Sequence, residues 1–168
     1  MPLLLLVSDT SVLVDLERGG LLTTVFGTGL TMVVPDLLYE TELAEYSGPY
    51  YRELGLQVVD LSPDELAFAQ HLCAEYGGLS TSDCFALACA RRHGHVLLTS
   101  DGLLRRVAEK RGVTRYGLLW LLDQVLALDG TLASVLHEGL AKIAAHPQCR
   151  QPANEVAKRL AQWSSMGR

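Results

Sequence analysis

The sequence has no apolar stretch that is long enough to cross a membrane. A membrane-spanning helix needs about 20 consecutive apolar residues, and no stretch of this chain approaches that length. The apolar run at residues 3–7 is too short for the core of a signal peptide, lacks a basic lead and continues directly into Asp9. We therefore expect a cytoplasmic protein rather than a membrane or secreted one.

Cysteine is scarce and irregularly spaced. The four cysteines show neither Cys-x-x-Cys spacing nor a histidine at zinc-finger distance, and they are Cys73, Cys84, Cys89 and Cys149. The five histidines also lack metal-ligand spacing. These absences exclude a zinc finger and favour buried, reduced thiols, because a free cysteine packs as a small hydrophobic residue.

The chain also lacks an excess of positive charge. Its formal net charge of -5 argues against a protein that wraps nucleic acid through overall charge, but it permits a local basic face. Seven of the 14 lysines and arginines lie between Arg91 and Arg115. The candidate phosphate contacts among them are Arg91, Arg92, Arg105 and Arg106. The alternative for each is an exposed arginine that only keeps a helix soluble.

Apolar runs of strand length alternate with helical patterns along most of the chain. The runs lie at residues 3–7, 31–34, 56–60 and 95–99, with a weaker one at 112–116. Alternation of this kind predicts a parallel sheet, because parallel strands need crossover connections and these are usually helices. We therefore expect an α/β fold, a three-layer α/β/α sandwich with helices on both faces of the sheet.

The last part of the chain has a purely helical pattern. It carries Leu132, Val135, Leu136, Leu140 and Ile143 on one helical face. We expect one α/β domain at residues 1–129 and a C-terminal helical extension at residues 130–168, packed on or beside this domain. The 168 residues, 49% of them hydrophobic, are enough to form a sizeable core.

Acidic residues follow or flank several of the apolar runs. Asp9 and Asp101 come directly after two of the runs, and Asp83 lies near the start of a helix. The carboxyl ends of parallel strands are the usual place for ligand binding in an open sheet. Carboxylate oxygens suit Mg²⁺ and Mn²⁺, which keep several waters and bind beside phosphates. The sequence therefore predicts one metal site at this edge.

Two glutamates compete for a fourth position, after the run at 31–34. Glu40 and Glu42 lie about 200° apart around an α-helix, so only one of them can face the site. Glu42 is one turn beyond Leu38, which we expect to be buried, and it is therefore preferred, with Glu40 as the possible substitute. Gly48-Pro49 is expected to end this helical unit.

Each candidate has a structural alternative. Asp9 and Asp101 fit helix N-caps, Asp83 fits a first-turn acid, and Glu42 alone fits a solvated surface residue. Hydroxyl residues stand beside the acids, where they either orient a carboxylate or phosphate or cap a helix; they are Thr10, Ser11, Thr99 and Ser100. Trp120 lies among leucines and favours a core or dimer contact over base stacking.

The combined pattern resembles a known family. Its parts are an apolar strand followed by Asp-Thr-Ser, a Pro-x-Leu-Leu-x-x-x-Glu-Leu segment, Ser-x-x-Asp at a helix start, and a strand followed by Thr-x-Asp. Together they resemble the PIN domain, particularly VapC-type toxin nucleases, over about residues 3–125. The resemblance implies a strand order of 3-2-1-4-5, which sets Asp9 beside Asp101. The family's usual Glu-Leu pair also favours Glu42.

The resemblance implies a Mg²⁺- or Mn²⁺-dependent endoribonuclease that uses water as its nucleophile. Its catalytic residues would be Asp9, Glu42, Asp83 and Asp101, with metal bound by Asp9, Asp83 and Asp101. It further implies RNA as the substrate, a homodimer, and a small antitoxin protein as a partner. The basic candidates would contact RNA phosphates.

Two other functions remain open from the sequence. The first is a PIN-fold module that binds RNA or protein and has lost catalysis. The second is a phosphatase of the haloacid dehalogenase type, which also carries an aspartate after its first strand. That enzyme type needs a second aspartate two positions later, where this chain has Ser11.

Overall fold

Five parallel strands form one sheet in the order β3-β2-β1-β4-β5. The computed structural model describes residues 4–167, so Leu3, the expected start of the first strand, lies outside the described residues. The strands are β1 (Leu5–Ser8), β2 (Thr31–Pro35), β3 (Gln57–Val59), β4 (His95–Leu98) and β5 (Arg115–Tyr116). In the register of the sheet, Val7 of β1 lies between Val33 of β2 and Leu97 of β4. The predicted architecture and strand order are confirmed.

Helices connect the strands and cover both faces of the sheet. They are α1 (Thr10–Arg18), α2 (Leu22–Phe26), α3 (Asp36–Leu38) with a π-helical turn (Tyr39–Leu43), α4 (Gly48–Leu54), α5 (Pro63–Glu75), α6 (Thr81–Ala90), α7 (Gly102–Lys110) and α8 (Leu118–Leu128). A 3₁₀ turn (Gly130–Leu132), α9 (Ala133–Ala145) and α10 (Ala153–Met166) complete the chain. The expectation that Gly48-Pro49 ends a helical unit is wrong, because this pair begins α4. Proline is well suited to a first helical turn, where its missing N–H needs no partner.

The core lies on both sides of β1, β2 and β4. Val7, Val33 and Leu97 are completely buried, as expected for central strands of a parallel sheet with helices on each face. Seven of the ten residues of α6 are buried, and small residues such as Ala86 and Ala88 let the helix pack closely against the strands. Burial of the large apolar side chains contributes roughly 1.5–3 kcal/mol each to the free energy of folding.

The C-terminal helices pack onto the same core. A Cβ atom added to Gly139 of α9 would collide with the side chain of Leu21, so glycine permits the close approach at this crossing. Ile143 of α9 and Trp163 of α10 are buried at 0% and 1% exposure. Val135 was expected on the buried face, but it is 43% exposed because it lies about 100° around the helix from its buried neighbour.

The division of the chain at residues 129 and 130 remains a prediction. Within residues 4–167, no helix combines the length and the apolar character that a membrane span requires.

Candidate active site

The carboxyl edge of the sheet brings Asp9 and Asp101 together. Asp9 follows β1 and Asp101 follows β4, and these two strands are neighbours. The Asp9 amide donates to the carbonyl of Leu98 at 3.0 Å. The Thr99 hydroxyl donates to Asp9 Oδ2, and the Asp101 amide donates to Thr99 Oγ1 at 3.0 Å. One threonine side chain therefore links the segments that carry the two acids.

Asp9 is a buried carboxyl group held in a fixed orientation. It is 4% exposed, and its Oδ1 accepts a hydrogen bond from Ser11 Oγ at 2.7 Å and from the Val12 amide at 3.2 Å. Burial raises the pKa of Asp9 from 3.8 to about 6, although these hydrogen bonds and that from Thr99 act in the opposite direction. The carboxylate thus caps α1 and also lies in an environment that disfavours its negative charge.

The π-helical turn after β2 separates the two candidate glutamates. Its i to i+5 bond runs from the Ala44 amide to the Tyr39 carbonyl at 2.8 Å. Glu40 is exposed, whereas Glu42 is half-buried and accepts a hydrogen bond from Thr10 Oγ1, next to Asp9. The structure therefore places Glu42, not Glu40, beside the strand edge. π-Helical turns recur at functional sites because they redirect side chains.

Asp83 caps α6 and faces the other acids. Its amide donates to Ser80 Oγ at 3.0 Å, and its Oδ2 accepts from the Ser80 amide at 3.1 Å, which completes a capping box. Burial is the main cause that raises the pKa of Asp83, and the negative charges of Asp101 and Glu42 raise it further. The charge of Asp83 in turn raises the pKa of Asp9. Asp83 therefore interacts electrostatically with each of the other three acids.

Capping and clustering coexist in these residues. Asp101 accepts a hydrogen bond from the Leu104 amide at 2.8 Å as the N-cap of α7. Asp9 and Asp83 also serve helix starts, so the structural alternatives predicted for them are present in the fold. Because Asp83 also interacts electrostatically with Asp9, Asp101 and Glu42, capping alone does not account for the arrangement.

The donor set fits a hydrated divalent cation. Carboxylate and hydroxyl oxygens are hard ligands, and the raised pKa of buried Asp9 reports a negative charge that a cation would stabilise. Among residues 4–167, no group of three or more His, Cys, Asp or Glu side chains forms a cage that could hold a metal ion. Mg²⁺ needs no such cage, since it keeps several waters and takes one or two carboxylates beside a substrate phosphate.

The comparison with known families agrees with this geometry. A family model described as PIN domain matches residues 5–165. The chain belongs to the PIN domain family. No curated protein and no solved structure matches the chain. PIN domains are typically nucleases and generally use divalent metal ions. The match confirms the resemblance to PIN domains and gives no support to a haloacid dehalogenase phosphatase.

Two of the candidate arginines of this PIN domain lie away from the acids. Arg91 is eight positions after Asp83 along α6, a distance of about 12 Å on the helix axis. Its guanidinium lies 3.7 Å from the ring centre of Phe68. Arg92 donates to Glu65 at 2.7 Å, and this contact lowers the pKa of Glu65 to about 2. The structure does not bring Arg91 or Arg92 to the acidic edge.

The other two arginines lie close to the acidic edge. Arg105 and Arg106 are in the first half of α7, four and five positions after Asp101, and both are exposed. One α-helical turn has 3.6 residues, so both are little more than a turn from the acid. Their position allows contact with a nucleic acid that reaches Asp101.

The PIN domain has further polar residues at this edge that the sequence reasoning missed. Gln151, after α9, donates through Nε2 to Ser100 Oγ at 3.0 Å and to Asp15 Oδ2 at 3.3 Å. Asp15 is 6% exposed, and burial raises its pKa. An acid in the apolar stripe of α1 was a visible signal for Asp15. Gln151 had none, because its partners are 51 and 136 residues away.

Proposed function

We propose that this PIN domain is a Mg²⁺- or Mn²⁺-dependent endoribonuclease of the VapC type, the toxin of a type II toxin–antitoxin pair that acts in the cytoplasm. The observation that carries the proposal is the link from Asp9 through the Thr99 hydroxyl to the segment of Asp101, with Asp83 and Glu42 beside it. Family membership supports nuclease activity. The motifs that resemble VapC-type toxins support the choice of RNA.

The acids have distinct roles in this proposal. Asp9, Asp83 and Asp101 bind the cation directly or through water, and Glu42 positions the cation or the attacking water. A divalent cation supplies positive charge opposite the scissile phosphate and activates water. Ser11 and Thr99 donate to opposite oxygens of Asp9, so that its carboxylate keeps one orientation without rearrangement during the reaction.

The proton on Asp9 sets a condition for cation binding. In the cation-free protein its carboxyl group has a pKa of about 6, so it is mostly protonated below that pH. A carboxylate must lose its proton to become a ligand, so cation binding releases protons below that pH. Above pH 7 the group is ionised, and the neighbouring carboxylates make the region strongly negative.

We also propose a homodimer and a small antitoxin partner. The resemblance to VapC-type toxins supports both. Exposed aromatic side chains in the segment that follows Glu42 supply contact area for such a partner, because Tyr46 is 77% exposed and Tyr50 is 47% exposed.

RNA cleavage by the purified protein tests the proposal. We expect cleavage of single-stranded RNA with Mg²⁺ or Mn²⁺ and none in excess chelator. Asp101→Asn should lower the cleavage rate at least about 100-fold. Substitution of a residue that only supports a metal ligand already lowers activity or metal affinity about 10- to 100-fold. Glu40→Gln is the matched control, since Glu40 is an exposed acid two positions before Glu42, and it should retain activity. Equal cleavage by Asp101→Asn, or undiminished cleavage in chelator, would refute the proposal.

The toxin role has its own test. Induced expression of the chain should arrest bacterial growth, and Asp101→Asn should remove the arrest. Co-expression of a short reading frame adjacent to the gene should restore growth to the wild-type strain. Growth arrest that persists with the Asp101→Asn variant would show that toxicity does not depend on cleavage.

A further inference from the structure

An aromatic pair lies on the same edge of the sheet as the acids. Strand β5 ends at Tyr116, whose carbonyl accepts a hydrogen bond from the Thr99 amide at 3.0 Å. The ring of Tyr116 stacks on Trp120 of α8, with ring centres 3.9 Å apart and planes 6° from parallel. Both side chains are half-buried, so part of the pair is exposed to solvent.

The pair lines a groove beside the segment that carries Asp101. Its other lining residues include Arg105, Arg115, Gln151 and Arg159. Gln151 also donates to Ser100, and Ser100 stands between Thr99 and Asp101 in the chain. One side chain, Gln151, therefore connects the groove with the segment that carries Asp101.

We propose that this groove binds a nucleotide of single-stranded RNA next to the scissile phosphate, with its base against Tyr116 and Trp120 and its phosphate at Arg105. The inference rests on the proposed ribonuclease function and extends it to the path of the substrate. Aromatic side chains stack on any base, so such a subsite favours unpaired RNA over a particular sequence.

The charges of the groove select Arg105 as the phosphate contact. Arg159 donates to Asp123 at 2.7 Å and to Glu155 at 3.0 Å, and Arg115 donates to Glu109 at 3.2 Å. Both guanidinium groups thus already have carboxylate partners, and Glu155 itself lines the groove.

Arg105 differs from these two arginines. Within residues 4–167 it takes part in no ion pair, and it is exposed a little more than one helical turn from Asp101. It is therefore the groove cation whose charge is available to a substrate phosphate.

The two tryptophans of the chain allow a direct test. Trp163 is 1% exposed, whereas Trp120 is half-buried in the groove, so a quencher in the groove reaches only Trp120. Unlabelled oligouridylate added to the full chain in excess chelator should quench part of the tryptophan fluorescence. Labelled oligouridylate, followed by fluorescence anisotropy, then measures affinity without cleavage.

Two groove variants should weaken binding in different ways. Trp120→Leu should weaken it about 10- to 100-fold, the effect of losing one stacked base, and Trp120→Phe should keep most of the affinity. Arg105→Ala should weaken binding and lower the slope of log affinity against log salt by about 1. Arg91→Ala is the matched control, because Arg91 lies at the end of α6 that is distant from Asp83. This variant should bind RNA like the wild type.

Several outcomes would overturn the inference. Wild-type affinity of Trp120→Leu with normal circular dichroism is one of them, and the absence of quenching by RNA is another. Tryptophan fluorescence that instead changes with protein concentration alone would assign the pair to a contact between two copies of the chain.

Failure of the inference is distinguishable from failure of the proposed function. If groove-dependent RNA binding is observed but metal-dependent cleavage is not, only the catalytic proposal fails. If metal-dependent cleavage is observed and Trp120→Leu binds RNA normally, only the groove assignment fails.

Discussion

Asp9→Asn should stabilise the cation-free protein at pH 8 and destabilise it at pH 4. Asp9 is 4% exposed, and its pKa of about 6 in the fold compares with 3.8 in an unfolded chain. The folded protein therefore ionises this group at a cost of about 3 kcal/mol more than the unfolded chain does. Below both pKa values the carboxyl is neutral in each state, and the cost disappears. Stability from this group falls as the pH rises from about 4 to 6, and it stays low above that range.

Asparagine removes the charge but also one acceptor oxygen. Ser11 and Thr99 donate to the two carboxylate oxygens, so one of these hydroxyls loses its acceptor in the variant. A lost hydrogen bond of this kind costs about 1 kcal/mol. We therefore expect the variant to be about 2 kcal/mol more stable than the wild type at pH 8. At pH 4, where the unfolded chain is already about half ionised, it should be about 0.5 kcal/mol less stable.

Urea unfolding in excess chelator measures both values. The fluorescence of buried Trp163 or circular dichroism follows the transition, and equal slopes against urea show that the same surface unfolds. Glu40→Gln removes the charge of an exposed acid and should change stability little at either pH. An Asp9→Asn variant that is destabilised equally at pH 4 and pH 8 would refute the claim that burial disfavours the charged form of Asp9.

Three further predictions concern the site and the thiols. Glu42→Gln should lower metal-dependent RNA cleavage at least about 10-fold and Glu40→Gln should not, because only Glu42 contacts Thr10; equal losses in initial rate would contradict the placement of the π-helical turn. At subsaturating Mg²⁺, the cleavage rate should rise between pH 5 and 7, as the Asp9 carboxyl with its pKa of about 6 loses its proton; a flat profile would count against Asp9 as a ligand. Diamide, which takes up the two thiol hydrogens, should join Cys73 to Cys84, whose sulfurs lie 2.8 Å apart; mass spectrometry that finds another pairing, or no pairing, would contradict this.

Local patterns were sufficient to predict most of the sheet. The apolar runs predicted the central strands because parallel strands are buried on both faces and read as continuous hydrophobic segments. The strand order required the family resemblance, since alternation alone does not say which strands are neighbours.

Features that depend on contacts between distant parts of the chain could not be predicted from the sequence. The bond from Gln151 to Ser100 closes across 51 residues and leaves no local signal. The π-helical turn at Tyr39–Leu43 also has no composition of its own, and the sequence reasoning assumed an ordinary α-helix there. Glu42 nevertheless lies at the edge, because Thr10 beside Asp9 holds it.

The four candidate arginines fall into two groups that their positions in the sequence do not distinguish. Arg91 and Arg92 were grouped with Arg105 and Arg106 because they are close in sequence. Helix α6 runs from the acidic edge of the sheet towards the start of β4, so its first and last residues lie at opposite edges. Helix direction in a crossover connection was available from the predicted topology, and it would have separated the two pairs.

Calorimetric titration of Mn²⁺ tests the shared carboxylate site most directly. We expect saturable Mn²⁺ binding to the wild-type protein. Asp101→Asn should weaken this binding at least about 10-fold, and Glu40→Gln should leave it unchanged. Circular dichroism confirms that each variant is folded. Identical Mn²⁺ affinity in the folded Asp101→Asn variant and the wild type would contradict the claim that these acids bind one cation together.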